Sequence, residues 1–183
     1  MKTLNCTIKD IVSKLLNKEI GAIFQGKLEL GPRALGNRSI IADPRIEDGK
    51  ERVNEVKNRE WYRPFACSIL EEYAHDWFKM GRLSSSPWMS YAIPVKEDKW
   101  KQIPAVIHVD GTCRLQTVTK EQNPIYYNLI KEFYDQTEIP LILNTSFNLA
   151  GQPMVFNPAK AIDVFLSSKL NFVWFPEIEK AVV

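Results

Sequence analysis

Residues 140–148 read Pro140-Leu141-Ile142-Leu143-Asn144-Thr145-Ser146-Phe147-Asn148. The apolar run from Pro140 to Leu143 has the length of a buried strand, and the polar residues after it mark where that strand runs out. Upstream, Asn123-Pro124 is a strong helix start: Asn supplies a side-chain acceptor and Pro the first-turn φ. Ile125, Leu129, Ile130 and Phe133 then give that helix its apolar stripe. Downstream, Asn157-Pro158 repeats the signal, with Ile162, Phe165 and Leu166 expected to pack inward, before a strand from Phe172 to Phe175. Helices on both sides of a buried strand predict a mixed α/β (or α+β) chain.

Further strands are predicted at Gly21 to Phe24, Ala66 to Leu70, Trp88 to Val95, Ala105 to Asp110 and Arg114 to Val118. Lys50 to Arg59 carries helix formers with Val53 and Val56 on one side, and Glu71 to Met80 reads as a short helix. Gly81 to Pro87 is a surface loop. Gly31 to Ser39 is too rich in Gly and Pro for a regular element, and Ile40-Ile41-Ala42 leads to a break at Asp43-Pro44. Thr7 with Asp10 forms a capping box for a helix carrying Ile8, Ile11, Val12, Leu15 and Leu16 and ending near Asn17. No repeat and no linker divides the chain, so residues 1–183 read as one domain.

The 183 residues carry 24 Lys+Arg against 22 Asp+Glu, a net charge of +2, and 45% are apolar. This balance excludes disorder and low complexity. It gives no general attraction to nucleic acid or an acidic membrane, so any anion site must be local. Cys6, Cys67 and Cys113 form no CxxC pair and the two histidines no HxxxH, which argues against a metal site. The first 19 residues lack the apolar core of a leader, and no stretch nears the roughly 20 apolar residues of a spanning helix. A cytoplasmic, reducing setting is expected.

Three segments suit anion binding. Arg33 and Arg38 lie in a loop with Gly31 and Gly36, where glycine lets the backbone approach a ligand and guanidinium groups fork onto phosphate. The same arginines could instead pair with Asp43 or Glu29 in a solvated turn. Lys57, Arg59 and Arg63 are interleaved with Trp61, Tyr62 and Phe65, which suits a base and its phosphates, or single-stranded nucleic acid, or simply a helix end. Asn144 to Asn148 projects amides and hydroxyls from a strand end, into a ligand crevice or onto its own backbone. His108 and Asp110, expected on one face of a strand, suit acid–base work or a satisfied structural pair.

In order, Glu29-Leu30-Gly31-Pro32-Arg33-Ala34-Leu35-Gly36-Asn37-Arg38-Ser39, Ala42-Asp43-Pro44-Arg45, Val56 to Phe65, His108-Val109-Asp110-Gly111-Thr112, Gln116-Thr117-Val118 and Leu143 to Asn148 closely resemble the C-terminal domain of ATP-dependent carbamoyltransferases. This family carbamoylates antibiotics and nodulation factors. The resemblance runs from about Ile20 to Trp174. It implies a YrdC-like fold, a twisted mixed sheet with a concave basic face and flanking helices. It implies an enzyme that makes carbamoyl adenylate from carbamoyl phosphate and ATP, with magnesium accompanying the nucleotide and no dedicated protein cage for it. A Kae1-like N-terminal domain, absent from this chain and either fused or separate, would then carbamoylate a small-molecule acceptor hydroxyl or amine.

By motif match, Lys57, Arg63, Arg114 and Ser146 would hold carbamoyl phosphate and the adenylate phosphate. Arg33 and Arg38 would bind further phosphate oxygens, Asn144 would orient the group with Ser146, and His108 would sit near the carbamoyl end. Leu30, Cys67, Cys113 and Gln152 stand where the pattern commonly has Phe, Pro, Ala and Glu. The alternatives are a non-catalytic RNA-binding module, disfavoured by the low net charge, and a threonylcarbamoyl-adenylate synthase. A membrane partner is not expected, and a homodimer is left open.

Overall fold

Thr7 opens the first helix through the predicted capping box: the Asp10 N–H donates to its hydroxyl at 3.4 Å and its own N–H donates to the Asp10 carboxylate at 2.7 Å. A computed structural model describes all 183 residues, Met1–Val183. The elements follow in the order β1 (Thr3–Asn5), α1 (Ile8–Leu16), β2 (Gly21–Phe24), β3 (Arg38–Ala42), α2 (Gly49–Val56), β4 (Ala66–Leu70) and α3 (Ala74–Trp77). Then come β5 (Tyr91–Pro94), β6 (Thr112–Val118), α4 (Pro124–Thr137), β7 (Leu141–Ser146), α5 (Pro158–Leu166), β8 (Phe172–Phe175) and β9 (Lys180–Val182).

All nine strands join one sheet in the order β1-β9-β8-β2-β3-β7-β4-β6-β5. The β2–β8 and β4–β6 pairs are parallel and the rest antiparallel, so the sheet is mixed. One apolar core gathers both sheet and helix residues, among them Ile11 and Leu15 of α1, Leu129 and Phe133 of α4, and Leu141 to Leu143 of β7. Register decides which side chains share a face. Asn144, Ala66 and Arg114 lie side by side across β7, β4 and β6, and Ser39 sits opposite Ser146. Between them, Leu143, Cys67 and Leu115 face the other way and are fully buried.

Several expectations need correction. No strand covers Ala105 to Asp110: Pro104–Val106 is a 3₁₀ turn, and His108 to Thr112 closes a tight turn in which the His108 N–H donates to the Thr112 carbonyl at 2.8 Å. His108 and Asp110 therefore share no strand face. The loop ending at Ser39 yields Arg38 and Ser39 to β3, while β7 continues through Ser146. Helix α2 stops at Val56, because the chain turns at Asn58 with φ of 51°. The helix expected over 71–80 shortens to a 3₁₀ turn and the four residues of α3. Helix α5 buries Ala161 and Val164, and Leu166 in its last turn is 64% exposed. Strands β1 and β9 have three residues each, too few to show a period.

Candidate functional site

Helix α2 ends at Lys57, and the turn at Asn58 throws Arg59 back beside it. Buried Asn54 fixes that turn: its Nδ2 donates to the Trp61 and Arg63 carbonyls at 2.8 and 3.0 Å, and its Oδ1 accepts from Arg59 Nε at 2.6 Å. The Arg59 guanidinium also lies over the Phe65 ring at 4.5 Å. Across from it, β7 ends in a turn where Ser146 Oγ donates to Asn148 Oδ1 at 2.6 Å. Lys57 clamps that turn. Its ammonium, 3% exposed as a residue, donates to the Ser146 carbonyl at 2.5 Å, the Asn148 carbonyl at 2.9 Å and Asn148 Oδ1 at 3.0 Å.

These residues line a hollow of about 690 Å³ between α2 and the end of β7, together with Arg63 and Glu60. A second hollow of about 120 Å³ adjoins it through Arg59 and Ser146, and adds Arg33, Arg114 and Asn144. Five cations thus face one continuous depression. Burial first, then Arg63 and Arg114, push the Arg59 guanidinium down to about 10. Burial and then Arg33 lower Arg114. Burial and then Arg59 push the Lys57 ammonium down to about 7, against the three carbonyl oxygens that favour its charged form. Two carboxylates also line the hollow: Glu60 pairs with the half-exposed Arg63 at 2.7 Å, and Glu55 is taken up by Lys169 at 2.5 Å.

Spare hydrogen-bonding capacity sits in the same place. Arg59 Nη2 and Arg114 Nε are buried without a partner, and so is Asn144 Oδ1. Buried donors left open cost free energy, and an anion supplies what they lack. The arrangement therefore offers an anion two preset guanidinium donors. No group of three or more His, Cys, Asp or Glu side chains is placed to hold a metal ion.

Of the eight residues singled out by motif, Lys57, Arg63, Arg114, Ser146, Arg33 and Asn144 come together here. Lys57 acts as a clamp, and Asn144 uses Nδ2 to hold the Gly31–Arg38 loop through the Ala34 carbonyl at 3.1 Å. Arg38 and His108 lie elsewhere. The Arg38 guanidinium stacks 3.6 Å from the Phe24 ring and donates to the Gln25, Gly26 and Asn37 carbonyls. His108 bridges the Phe65 carbonyl at 2.9 Å and the Thr112 hydroxyl at 3.1 Å, so both ring nitrogens are engaged. The motif match gave no role to Arg59 or Asn148, though both lie in segments that suit an anion or ligand. The signal was the i,i+2 spacing in Lys57-Asn58-Arg59 and Ser146-Phe147-Asn148, which returns both partners to one side. Gln152 meets the site through its carbonyl, which accepts from Asn148 Nδ2 at 2.7 Å and which Glu would present equally.

The chain is thus a mixed α/β fold carrying a cation-lined depression. Residues 12–180 match the family model described as Carbamoyltransferase C-terminus, and the chain belongs to that family. It is 48% identical to the nodulation protein NolO of Bradyrhizobium diazoefficiens over 149 residues, 80% of this chain and 27% of that protein. The nodulation protein NolNO of Sinorhizobium fredii is also 48% identical, over 80% of this chain and 22% of its own length. The chain thus spans about a quarter of these relatives. Among solved structures, full-length HypF in its phosphate- and nucleotide-bound form superposes with a TM-score of 0.65 at 17% identity, over 91% of this chain and 24% of that one. P. abyssi Sua5 complexed with L-threonine gives 0.62 at 14%, over 91% and 45%. These likenesses establish the YrdC-like fold. No helix is long and apolar enough to cross a membrane.

Proposed function

We propose that this chain is the adenylate-forming part of an ATP-dependent carbamoyltransferase, working as one domain over residues 1–183 in the cytoplasm. The observation that carries the reading is the pair of buried, unpartnered guanidinium donors of Arg59 and Arg114 within a cluster of like charges. Carbamoyl phosphate is a small dianion, and the hollow of about 120 Å³ is the size of a phosphoryl group with its substituent. In this reading Arg59, Arg114 and Arg33 bind its oxygens. Water cleaves the mixed anhydride to carbamate and phosphate. A carbamate oxygen then attacks the α-phosphorus of ATP, and pyrophosphate leaves.

The protein's share is positioning and charge neutralisation. Guanidinium groups keep their charge at working pH, and Lys57 holds Ser146 and Asn148 in the geometry that faces the phosphates. Arg63 joins from the mouth once it leaves Glu60. Transfer to an acceptor hydroxyl or amine falls to a Kae1-like domain, and the greater length of the relatives supports such a partner. The test mixes the chain with ATP, magnesium and carbamoyl phosphate and follows pyrophosphate. Release that requires carbamoyl phosphate is expected. Failure to bind carbamoyl phosphate, or salt-dependent RNA binding indifferent to ATP, would overturn the reading.

A further inference from the structure

A different hollow, of about 510 Å³, opens on the other side of the Gly31–Arg38 loop. None of its lining residues is a Lys or Arg. Two carboxylates, Glu29 and Glu177, stand in its wall, and Leu35, Ile125 and the indole of Trp88 give it an apolar side. Trp88 is 67% exposed at the rim. Three groups in the wall, Gln25, Glu29 and Glu177, keep an acceptor oxygen free. Gln25 is 3% exposed; its Nε2 donates to the Gly36 carbonyl at 2.8 Å and to Asn123 Oδ1 at 3.2 Å, and its Oε1 accepts nothing.

Glu29 repeats the pattern. Its Oε1 accepts the Leu35, Asn37 and Arg38 N–H groups at 2.9, 2.7 and 3.3 Å, while Oε2 is buried without a partner. Glu177 accepts the Gly26 N–H at 2.9 Å through one oxygen only. The nearest compensating cation, Arg38, lies behind the wall with its guanidinium turned to backbone carbonyls, within the field of both carboxylates. Two carboxylates against one buried guanidinium leave a surplus of one negative charge.

We infer that this hollow is a second ligand site, one that takes a protonated amine on an apolar or aromatic stem. An ammonium supplies three donors and one positive charge to a wall that offers acceptors and one excess negative charge. The indole face at the rim suits the same cation. An acidic phosphate ester meets two carboxylates and no cation here and is repelled. The site is chemically the opposite of the cationic depression, and it does not depend on what that depression binds.

Phenethylamine is the probe, with 2-phenylethanol as its neutral counterpart and adenosine as a neutral base. Titration followed by the Trp88 indole N–H resonance should show saturable phenethylamine binding, at least about tenfold tighter than 2-phenylethanol. Glu29→Gln keeps a carbonyl for the three N–H groups but turns Oε2 into a donor, and should weaken the amine about tenfold. Glu177→Gln, at the exposed edge, leaves the loop intact and should weaken it severalfold, which keeps the test decisive if Glu29→Gln fails to fold. Sulfate titration should be unchanged in both variants, so the two sites are read separately. Equal binding of 2-phenylethanol or adenosine, or no change at Trp88, would overturn the inference.

Discussion

Arg38 and Arg114 are both arginines of the central sheet, and both have their charge disfavoured by burial. Their surroundings are opposite. Arg38 has terminal guanidinium nitrogens engaged by three carbonyls, an aromatic ring beneath it, and two carboxylates in range. The Arg114 side chain donates to nothing, its Nε is buried without a partner, and its nearest charged influence is Arg33. One arginine is tied into the fold by carbonyls, and the other is left free to receive an anion in the proposed site. Both leave Nε buried without a partner, so the difference lies in the terminal nitrogens, which carbonyls engage in Arg38 and no protein acceptor engages in Arg114.

Lys57→Ala should have the largest effect, because Lys57 belongs to both categories. Removing it leaves three buried or half-buried acceptors open and frees the Ser146–Asn148 turn, costing about 3 kcal/mol of stability in urea unfolding as well as anion binding. Arg114→Ala separates the two effects. Sulfate or phosphate affinity should fall roughly tenfold to a hundredfold, equivalent to about 1.5–3 kcal/mol, while Tm holds or rises because a self-repelling charge has gone.

The pH dependence sharpens the contrast. The Lys57 pKa falls from 10.5 to about 7 on folding, so between those values the unfolded chain holds a proton that the folded chain has released. Its contribution to stability is fully present above about 10.5 and is lost as pH falls toward 7, so Tm without ligand should rise with pH across that window, all else fixed. An anion favours the ammonium form. Sulfate, which does not titrate here, should therefore bind about threefold to tenfold more weakly at pH 9 than at pH 6. Glu60→Gln is the smallest change. Freeing the exposed Arg63 should raise sulfate affinity only about twofold to threefold, since such surface pairs are weak.

Most of the fold was legible because its signals are local. The Thr7 capping box, the two Asn-Pro helix starts and the buried strands each declare themselves within a few residues. Where the reading failed, a tertiary contact decided. His108-Val109-Asp110 alternates like a strand, yet the His108 ring lies 2.9 Å from the Phe65 carbonyl, far away in sequence, and the chain bends into a turn whose His108 N–H donates to Thr112. Cys67 and Cys113 are 46 residues apart and both depart from the family pattern, but only the fold shows their sulfurs 3.4 Å apart in the core. At the site, sequence named the cations and could not say which were engaged. Arg38 reads like Arg33 along the loop, and only the fold shows its terminal nitrogens already engaged by the Gln25 and Gly26 carbonyls. Arg59 stood in an anion-suited segment, but only the fold shows one of its nitrogens buried and left without a partner.

The most direct measurement is a calorimetric titration of carbamoyl phosphate into the wild-type chain, Arg114→Ala and His108→Gln. Wild type and His108→Gln should bind with similar affinity, and Arg114→Ala should lose at least about tenfold. Unchanged binding in Arg114→Ala, or loss in His108→Gln with the fold intact, would contradict the assignment of the anion site to the unpartnered arginines.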